Sequence, residues 1–205
     1  LNLLFSEDSK EKYEKNGSSS KELMIIGDIR FWNTMVKKKN TNRKNKIVAL
    51  ICFNQLDCVN SVKECSNFLN FNNIDVIIRK HPRDDIQIEY NKHTTISTNT
   101  DIFDDLALCD IAITNESAIP LESIFLDIPT YIFRFKPRKG TGPVFDNYSF
   151  MKKGLVKQDF ILFENLLKAI QNSELVYNKD KLHHFIGPVL HKKDILKKLN
   201  KKLEI

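Results

Sequence analysis

The stretch CDIAITNESAIPLESIFLDIPTYIF, from Cys109 to Phe133, predicts a strand, a helix and a second strand in immediate succession. Its apolar runs Ile111 to Thr114 and Thr130 to Phe133 have the length and composition of buried strands. Between them, Ser117 to Leu126 has the pattern of a helix, and Pro120 is tolerated there because it falls in the first turn. A helix that connects two such strands is typical of a parallel sheet.

Working outward from this stretch, strands and helices continue to alternate along the chain. The further predicted strands are Leu23 to Ile26, Ile47 to Phe53, Ile74 to Ile78 and Thr94 to Ser97, and the further predicted helices are Phe31 to Lys39, Val59 to Phe71, Thr100 to Leu108, Phe160 to Ile170 and Lys192 to Leu203. Such alternation predicts the α/β class, with a doubly wound parallel sheet and helices on both of its faces.

The chain has 205 residues, which fits one domain of moderate size. Residues 1–22 are polar and contain a Gly-Ser-Ser-Ser joint, so we predict a flexible N-terminal segment or linker there. The sheet domain is predicted over residues 23–190, and a basic amphipathic helix over residues 191–205. The longest apolar run, Ile47 to Phe53, is too short to span a membrane.

Positive charge is concentrated in two segments of a chain whose formal net charge is +6. Val36 to Lys46 carries six cations without an acid, and Leu190 to Ile205 carries six lysines against two acids. No stacking aromatic lies within the first segment, so we predict no nucleic-acid partner. The C-terminal helix either packs on its own domain or makes a peripheral contact with an anionic membrane, and the sequence leaves both readings open.

The cysteines and histidines give no sign of a metal site. The four cysteines have neither paired nor zinc-like spacing, and His183, His184 and His191 lack a cysteine or carboxylate at a metal-ligand spacing. We therefore predict no metal, reduced thiols and a cytoplasmic location.

A second stretch, IDVIIRKHPR from Ile74 to Arg83, runs another buried strand into a cluster of cations. The candidate ligand contacts here are Arg79, Lys80, His81 and Arg83. His81 can present an imidazole N–H to a phosphate oxygen, and Arg83 can bind one with two parallel hydrogen bonds. Ligands of open α/β sheets bind outside the carboxyl ends of the strands, which predicts a phosphate site. Ordinary solvated cations at a strand end are the alternative.

Polar residues also follow the strand of the first stretch, where the chain turns into its helix. The candidate contacts are Asn115, Glu116, Ser117 and Ala118. Unpaired N–H groups at a helix start suit an anion, although Ser117 can instead cap the helix. Glu116 faces either the ligand or the helix dipole.

Two further residues complete the predicted site. Glu122 lies within the predicted helix, where a carboxylate can accept hydrogen bonds from both hydroxyls of a ribose. A surface glutamate is the alternative. Gly27 follows the first strand and lets the backbone approach a ligand closely, unless it only forms a turn.

These segments resemble the C-terminal, nucleotide-binding half of GT-B glycosyltransferases of bacterial surface polysaccharide assembly, over roughly Leu23 to Phe133. Gly27 to Phe31 resembles the G-x-x-R-F turn that opens this half. Lys80 to Arg83 resembles the K-x-HP element of CMP-sugar users (sialyl- and Kdo-transferases) and of CDP-glycerol transferases. Thr114 to Pro129 is similar to their T-x-S-S-x-x-x-E-x-x-x-x-G-x-P segment.

The resemblance implies a Rossmann-like sheet that is one half of a GT-B fold. It places phosphate contact on His81 and Ser117, nucleoside or ribose contact on Glu122, and the catalytic role on His81, through stabilisation of the departing phosphate. The implied substrates are a nucleotide-sugar, CMP-linked by preference, and a glycan acceptor of capsule or lipopolysaccharide, with no cofactor. A second, N-terminal GT-B domain is the implied partner, and the protein would sit in the cytoplasm or on the inner face of the membrane.

Two departures from the resembled pattern leave the donor open. Ala118 stands where a second Ser, Thr or Gly is usual, and Asp127 stands where Gly is usual. A CDP-glycerol or alditol phosphotransferase domain and a non-catalytic flavodoxin-like binding module are the alternatives. We expect this chain alone to bind nucleotide weakly and to transfer nothing.

Overall fold

The protein is described by a computed structural model that covers residues 2–32, 46–82, 91–115, 117–139, 149–190 and 192–203. Its contacts divide the chain into two compact units. The smaller unit comprises Leu1–Val36 and Lys179–Ile205, and the larger unit is Lys37–Asn178. All the predicted site residues except Gly27 belong to the larger unit.

The described residues form eight strands and eight α-helices. The strands are β1 (Asn2–Leu4), β2 (Leu23–Ile25), β3 (Val48–Cys52), β4 (Asp75–Arg79), β5 (Thr94–Ile96), β6 (Ile111–Thr114), β7 (Thr130–Phe133) and β8 (Asp159–Phe160). The helices are α1 (Glu7–Lys15), α2 (Val59–Phe71), α3 (Ile102–Leu106), α4 (Ile119–Phe125), α5 (Ser149–Lys152), α6 (Phe163–Gln171), α7 (Leu182–Ile186) and α8 (Lys192–Leu203).

The larger unit is built on a six-stranded sheet with the order β5-β4-β3-β6-β7-β8. Every pair of neighbours in this sheet is parallel. The chain moves outward from β3 through β4 to β5, returns to β6 on the other side of β3, and continues through β7 to β8. The direction therefore reverses between β3 and β6, which is the topological switch point of a doubly wound sheet.

Both faces of this sheet are covered, as the sequence predicted. All five residues of β3 are buried, as expected for a central parallel strand. Ala49 and Ile51 belong to the core formed with α2 and α6, whereas Leu50 and Cys52 belong to a second core with α3. The alternation along β3 divides the core into two layers, so the doubly wound α/β class is confirmed.

The strand ends that precede the predicted site are level with one another. Cys52 at the end of β3 is the register partner of Arg79 on one side and of Thr114 on the other. Thr114 in turn pairs with Ile132 of β7. The segments that leave these four strands therefore start at one edge of the sheet, which we call the carboxyl edge.

The smaller unit shows that the N-terminal segment is folded. Its strand β1 pairs in parallel with β2, and Ser6 caps α1 by accepting a hydrogen bond from the backbone N–H of Ser9 at 3.2 Å. Leu4 is buried, so an apolar side chain anchors the start of this segment. This differs from the predicted flexible segment or linker over residues 1–22, because pairing with β2 is not visible in composition.

Two other boundaries differ from the sequence expectations. Residues 23–32 and 179–190 belong to the smaller unit rather than to the sheet domain predicted over residues 23–190. Phe160, the predicted start of a helix, ends the two-residue edge strand β8, and α6 begins at Phe163. Most of the helix predicted from Phe31 to Lys39 lies outside the described residues.

The C-terminal helix α8 has the predicted bounds, Lys192–Leu203. Ile195 is buried, whereas Leu196 on the adjacent position is half exposed. Within the described ranges, no helix is both long and apolar enough to cross a membrane.

Candidate functional site

The cationic cluster after β4 begins with an arginine that is held by its own protein. The guanidinium of Arg79 forms an ion pair with Asp105, and its Nη1 and Nη2 atoms donate to the carbonyl oxygens of Asn99 at 3.0 Å and Thr100 at 2.9 Å. Asp105 is fully buried and also accepts from Ser97 Oγ at 2.6 Å. Arg79 thereby ties β4 to the segment that connects β5 with α3, and its predicted contact with a ligand stays a prediction.

Lys80 and His81 follow Arg79 immediately beyond the end of β4, and both are half-buried. Pro82 is exposed. Arg79 is the register partner of Cys52, which lies at the carboxyl edge. His81 therefore follows this edge by two residues. The predicted contacts Arg83 and Glu116 lie outside the described residues.

The turn after β6 holds the serine predicted to contact phosphate. Ser117 Oγ lies 2.8 Å from Thr114 Oγ1 and accepts a hydrogen bond from the backbone N–H of Ile119 at 3.3 Å. Ser117 therefore supports the first turn of α4, and Ala118 occupies the N-cap position without a side-chain capping bond. Helix capping and phosphate contact by Ser117 are chemically compatible. Its hydroxyl oxygen can accept a hydrogen bond from the backbone while its proton is donated to a ligand.

Asn115 is buried and is hydrogen-bonded to the carboxylate of Asp57, a residue that the sequence patterns do not indicate as part of the site. Its Nδ2 donates to Oδ1 of Asp57, and Asp57 Oδ2 accepts from the backbone N–H of Asn54 at 2.8 Å. Burial raises the pKa of Asp57 from 3.8 to about 6, although the hydrogen bonds from Asn54 and Asn115 and the charge of Arg138 oppose this shift. The sequence signal that points to Asp57 is its position in a polar segment directly after the central strand β3.

Backbone hydrogen bonds join the loop after β3 to the segment after β7. The N–H of Cys58 donates to the carbonyl oxygen of Lys136 at 2.7 Å, and the N–H of Arg138 donates to that of Leu56 at 2.6 Å. Together with the Asp57–Asn115 pair, these bonds connect the segments that follow β3, β6 and β7. Hydrogen bonds between these segments therefore hold the carboxyl edge together around the switch point.

Glu122 lies on α4 and is only 3% exposed, which excludes the surface-glutamate alternative. Burial raises the pKa of the Cys52 thiol most, and the nearby Cys109, Asp105 and, least, Glu122 raise it further. Cys52 ends β3, so this carboxylate lies near the carboxyl edge at the switch point. A buried carboxylate in this place has the acceptor oxygens that the ribose hypothesis requires.

Gly27 belongs to the smaller unit, where its backbone makes a close approach to the protein itself. Its φ is +85°, and a Cβ atom built there would lie 2.0 Å from the carbonyl oxygen of Pro188. The glycine is thus required by the packing of residue 188, and its predicted contact with a ligand stays a prediction.

One group of side chains in the smaller unit has the composition of a metal site. Ligand atoms of Asp8 and Glu11 on α1 and of His184 on α7 all lie within 4.8 Å of one another. Lys12 Nζ already pairs with Asp8 Oδ2 at 2.8 Å, and Glu11 is exposed. The sequence prediction of no metal rested on spacing, which cannot detect a group assembled from residues so far apart along the chain.

No protein-family model matches the sequence, and no curated protein matches it. Solved structures do share its fold. The wall teichoic acid polymerase TagF matches with a TM-score of 0.62 and 14% identity, over 99% of this chain and 59% of its own. The same polymerase was also solved after a soak with CDPG, and that structure matches with a TM-score of 0.59.

Two other solved structures match across different shares of the chain. The UDP-GlcNAc 2-epimerase from Neisseria meningitidis, bound to UDP-GlcNAc, has a TM-score of 0.55 and 14% identity, over 98% of this chain and 60% of its own. The glycosyltransferase SnogD from Streptomyces nogalater has a TM-score of 0.53 and 10% identity, over 78% of this chain and 44% of its own. These likenesses establish a Rossmann-like fold like that found in one half of a GT-B architecture, and this chain spans about six-tenths or less of each of these proteins.

Proposed function

We propose that the larger unit is the donor-binding domain of a glycosyltransferase and that it binds a nucleotide-linked donor at the carboxyl edge. In this proposal the donor is a CMP-sugar and the acceptor is a bacterial surface glycan. The observation that carries the proposal is the level register of β4, β3 and β6, which brings the segments bearing His81 and Ser117 to the same edge.

The spacing of these strands suits a nucleotide. Two strand separations lie between β4 and β6, which is about 10 Å across the sheet. A nucleoside phosphate can bridge that distance, with its phosphate near His81 and Ser117 and its ribose near Glu122. The buried position of Glu122 supports this arrangement, because a carboxylate in a site of low dielectric binds hydroxyl groups more strongly than one in water.

In the proposed reaction, the bond between the sugar and the phosphate of the donor breaks, and negative charge develops on the departing phosphate. An N–H of His81 and the hydroxyl of Ser117 would donate hydrogen bonds to that oxygen, and the charge of Lys80 would add to their effect. The group that activates the acceptor would be supplied by a second domain, consistent with the share of TagF that this chain spans.

A CDP-glycerol or alditol phosphotransferase domain is the second candidate. It is favoured by the similarity to TagF, which was solved with CDPG. In that case the same residues would bind a diphosphate. The bond that breaks would be the P–O bond between the glycerol-bearing phosphorus and the bridging oxygen, and CMP would depart. The two candidates therefore share a cytidine nucleotide and differ in the group that is transferred.

Calorimetric titration of the chain with CMP, CDP, UDP and GDP tests the proposal. We expect a cytidine nucleotide to bind, and His81→Ala to weaken that binding at least about tenfold, the effect of one hydrogen bond to a charged group. His93→Ala is the matched control, since His93 is half-buried beside Asp75 at the amino end of β4. Unchanged affinity in His81→Ala, or no binding by the wild-type chain, would refute the proposed site.

Competition experiments separate the two candidates. A CMP-sugar that displaces the bound nucleotide better than CDP-glycerol does would favour the glycosyltransferase, and the reverse order would favour the phosphotransferase. Binding of nucleotide with neither preference, and without turnover in a longer protein, would leave a binding module.

A further inference from the structure

Asp57 and Asn115 form a buried pair at the switch point of the sheet. Asp57 is 2% exposed in the loop after β3, and Asn115 is 4% exposed directly after β6. Their side chains join the segments that follow the two central strands, where the direction of winding reverses. The hydrogen bond between them therefore belongs to the part of a doubly wound sheet where ligands bind.

The carboxylate decides which way the amide of Asn115 faces. Asp57 Oδ2 accepts from the N–H of Asn54, and Oδ1 accepts from Asn115 Nδ2. An ionised carboxylate can only accept hydrogen bonds, so it selects the amide orientation in which Nδ2 faces Asp57. The other amide atom, Oδ1, must then face away from Asp57.

Among the described residues, that oxygen has no hydrogen-bond donor. Asn115 Oδ1 is buried, and no donor to it is found among the residues that the structure describes. A buried amide oxygen without a donor is costly, and a ligand that donates a hydrogen bond would remove this cost. The vacant acceptor is a second observation, independent of the winding of the sheet, that points to a ligand.

We infer that Asp57 is a positioning residue, which orients the amide of Asn115 so that Oδ1 accepts a hydrogen bond from the bound nucleotide. The inference rests on the proposed function and adds to it a specific contact and the residue that enforces it. The donor on the nucleotide is an N–H or O–H group, either the exocyclic amino group of cytosine or a hydroxyl of the ribose.

Protonation of Asp57 would reverse this arrangement. Within the described part of the chain, the groups that act on its carboxyl are Asn54 from its own loop, Asn115 after β6 and the cation Arg138 after β7. Burial outweighs these and raises the pKa of Asp57 to about 6. Below that pH, the carboxyl O–H would donate to Asn115 Oδ1 and turn the amide, so the acceptor offered to the ligand would be replaced by a donor.

The substitution Asp57→Asn should produce the reversed state at every pH. The new side chain has one oxygen, which would keep the bond from the N–H of Asn54. Its amide nitrogen would then face Asn115 and require Oδ1 of that residue as its acceptor. Asp101→Asn is the matched control, because asparagine keeps the oxygen that caps α3 and the residue lies outside the site.

Calorimetry with CMP tests the inference at about pH 7.5 and at about pH 5, on either side of the pKa of Asp57. We expect Asp57→Asn to bind about tenfold more weakly than wild type at the higher pH and equally at the lower pH, because one hydrogen bond is lost. The ligand and the buffer are the same for both proteins, so the ratio of the two Kd values isolates the effect of Asp57. Equal affinities at both pH values would overturn the inference.

Two analogues identify the donor on the nucleotide. UMP lacks the exocyclic amino group, and 2′-deoxy-CMP lacks one ribose hydroxyl. The analogue that binds wild type more weakly than CMP, but binds Asp57→Asn as well as CMP does, lacks the group that Asn115 recognises. If each analogue is discriminated to the same extent by both proteins, Asn115 Oδ1 does not contact the nucleotide.

A measurement without ligand separates this inference from the proposed function. The side-chain amide signal of Asn115 in nuclear magnetic resonance, assigned by its loss in Asn115→Ala, should shift with a midpoint near pH 6 in wild type and in Asp101→Asn. It should not shift in Asp57→Asn. A titrating amide in a chain that binds no nucleotide would refute the proposed function alone, whereas an amide that does not titrate in wild type would refute the positioning role.

Discussion

The carboxyl group of Asp57 is removed from water by the loop after β3 and by the segments that follow β6 and β7. Desolvation favours its neutral form, which raises its pKa from 3.8 to about 6. A carboxyl group in a polar segment next to a central strand can therefore be buried and have a raised pKa, which composition does not reveal. At the scale of single residues, we expect this carboxyl and the Arg79–Asp105 pair to have measurable effects on the free energy of unfolding.

The pH dependence of stability should show the raised pKa of Asp57. The folded state binds this proton more tightly than the unfolded state, so the stabilisation is complete below about pH 4 and is lost as the pH rises through about 6. Over this window, unfolding in urea should reveal a loss of up to about 3 kcal/mol in wild type that is missing in Asp57→Asn. Parallel curves for the two proteins would show that Asp57 titrates normally.

Removal of Arg79 should destabilise the protein strongly. Arg79→Ala leaves the fully buried Asp105 without its cation, which costs about 3–5 kcal/mol for an ion pair of this kind. The matched control is Arg134→Ala, whose ion pair with Asp159 is about one-third exposed on both sides and should be worth no more than about 1 kcal/mol. Urea unfolding measures the free energy of unfolding of both variants. Similar losses would mean that the buried Arg79–Asp105 pair contributes no more stability than the more exposed Arg134–Asp159 pair.

At the scale of elements, the smaller unit is held together by close backbone contacts between segments far apart in sequence. The N–H of Asp28 donates to the carbonyl oxygen of Ile186 at 2.8 Å, and that of Ile26 donates to Leu4 at 2.9 Å. These bonds connect the end of β2 with α7 and with β1. Gly27 lies between the two donors, where a side chain would separate the segments.

Gly27→Ala should therefore unfold the smaller unit at a lower urea concentration. The new Cβ would meet Pro188 and would also occupy a left-handed backbone conformation, so a loss above about 3 kcal/mol is expected. Gly17→Ala is the control, because its φ is +92° but nothing lies within 4 Å of its added Cβ. That variant should lose only about 1–2 kcal/mol. Equal losses would assign the whole effect to the backbone conformation.

The helix α8 presents exposed lysines beside a buried anchor. Lys193, Lys197, Lys198 and Lys201 are exposed, and Ile195 is buried. If the basic face contacts a membrane, the chain should sediment with vesicles that contain an anionic lipid and be released by salt. Replacement of the four lysines by glutamine should abolish sedimentation, whereas neutral vesicles should bind neither protein. Sedimentation that is insensitive to these changes would exclude this contact.

At the scale of the whole molecule, the chain is built on a six-stranded parallel sheet, and the solved structures of similar fold are longer. The candidate groups for the donor lie on one carboxyl edge, and Glu122 and Asp57 are both buried there.

We expect this chain to bind nucleotide but to show no transfer from a CMP-sugar or from CDP-glycerol to a glycan acceptor. The measurement is release of CMP over time, with hydrolysis in the absence of the chain as the reference. Release that depends on both the acceptor and His81 would show that the chain is a complete enzyme and would contradict this expectation.

The sequence by itself determined which segments are strands and helices in the core. The bounds of β6, β7, α2 and α8 agree with the predicted bounds, since continuous apolar runs and helical spacing are local signals. The same signals fixed the parallel, doubly wound class and placed His81 and Ser117 at strand ends. Local patterns failed for β1, α1 and β8, which are short or polar and depend on partners elsewhere in the chain.

Only the tertiary structure decided which polar groups meet. Arg79 was selected as a ligand contact for its charge, but the fold places Asp105 against it, 26 positions further along the chain. Local patterns do not indicate Asp57 as a site residue, because its partner Asn115 lies 58 positions away in the sequence. Burial, pKa and amide orientation follow from such pairings, and pairings follow from the order of strands in the sheet. That order is set by packing over the whole domain, which no local stretch of sequence encodes.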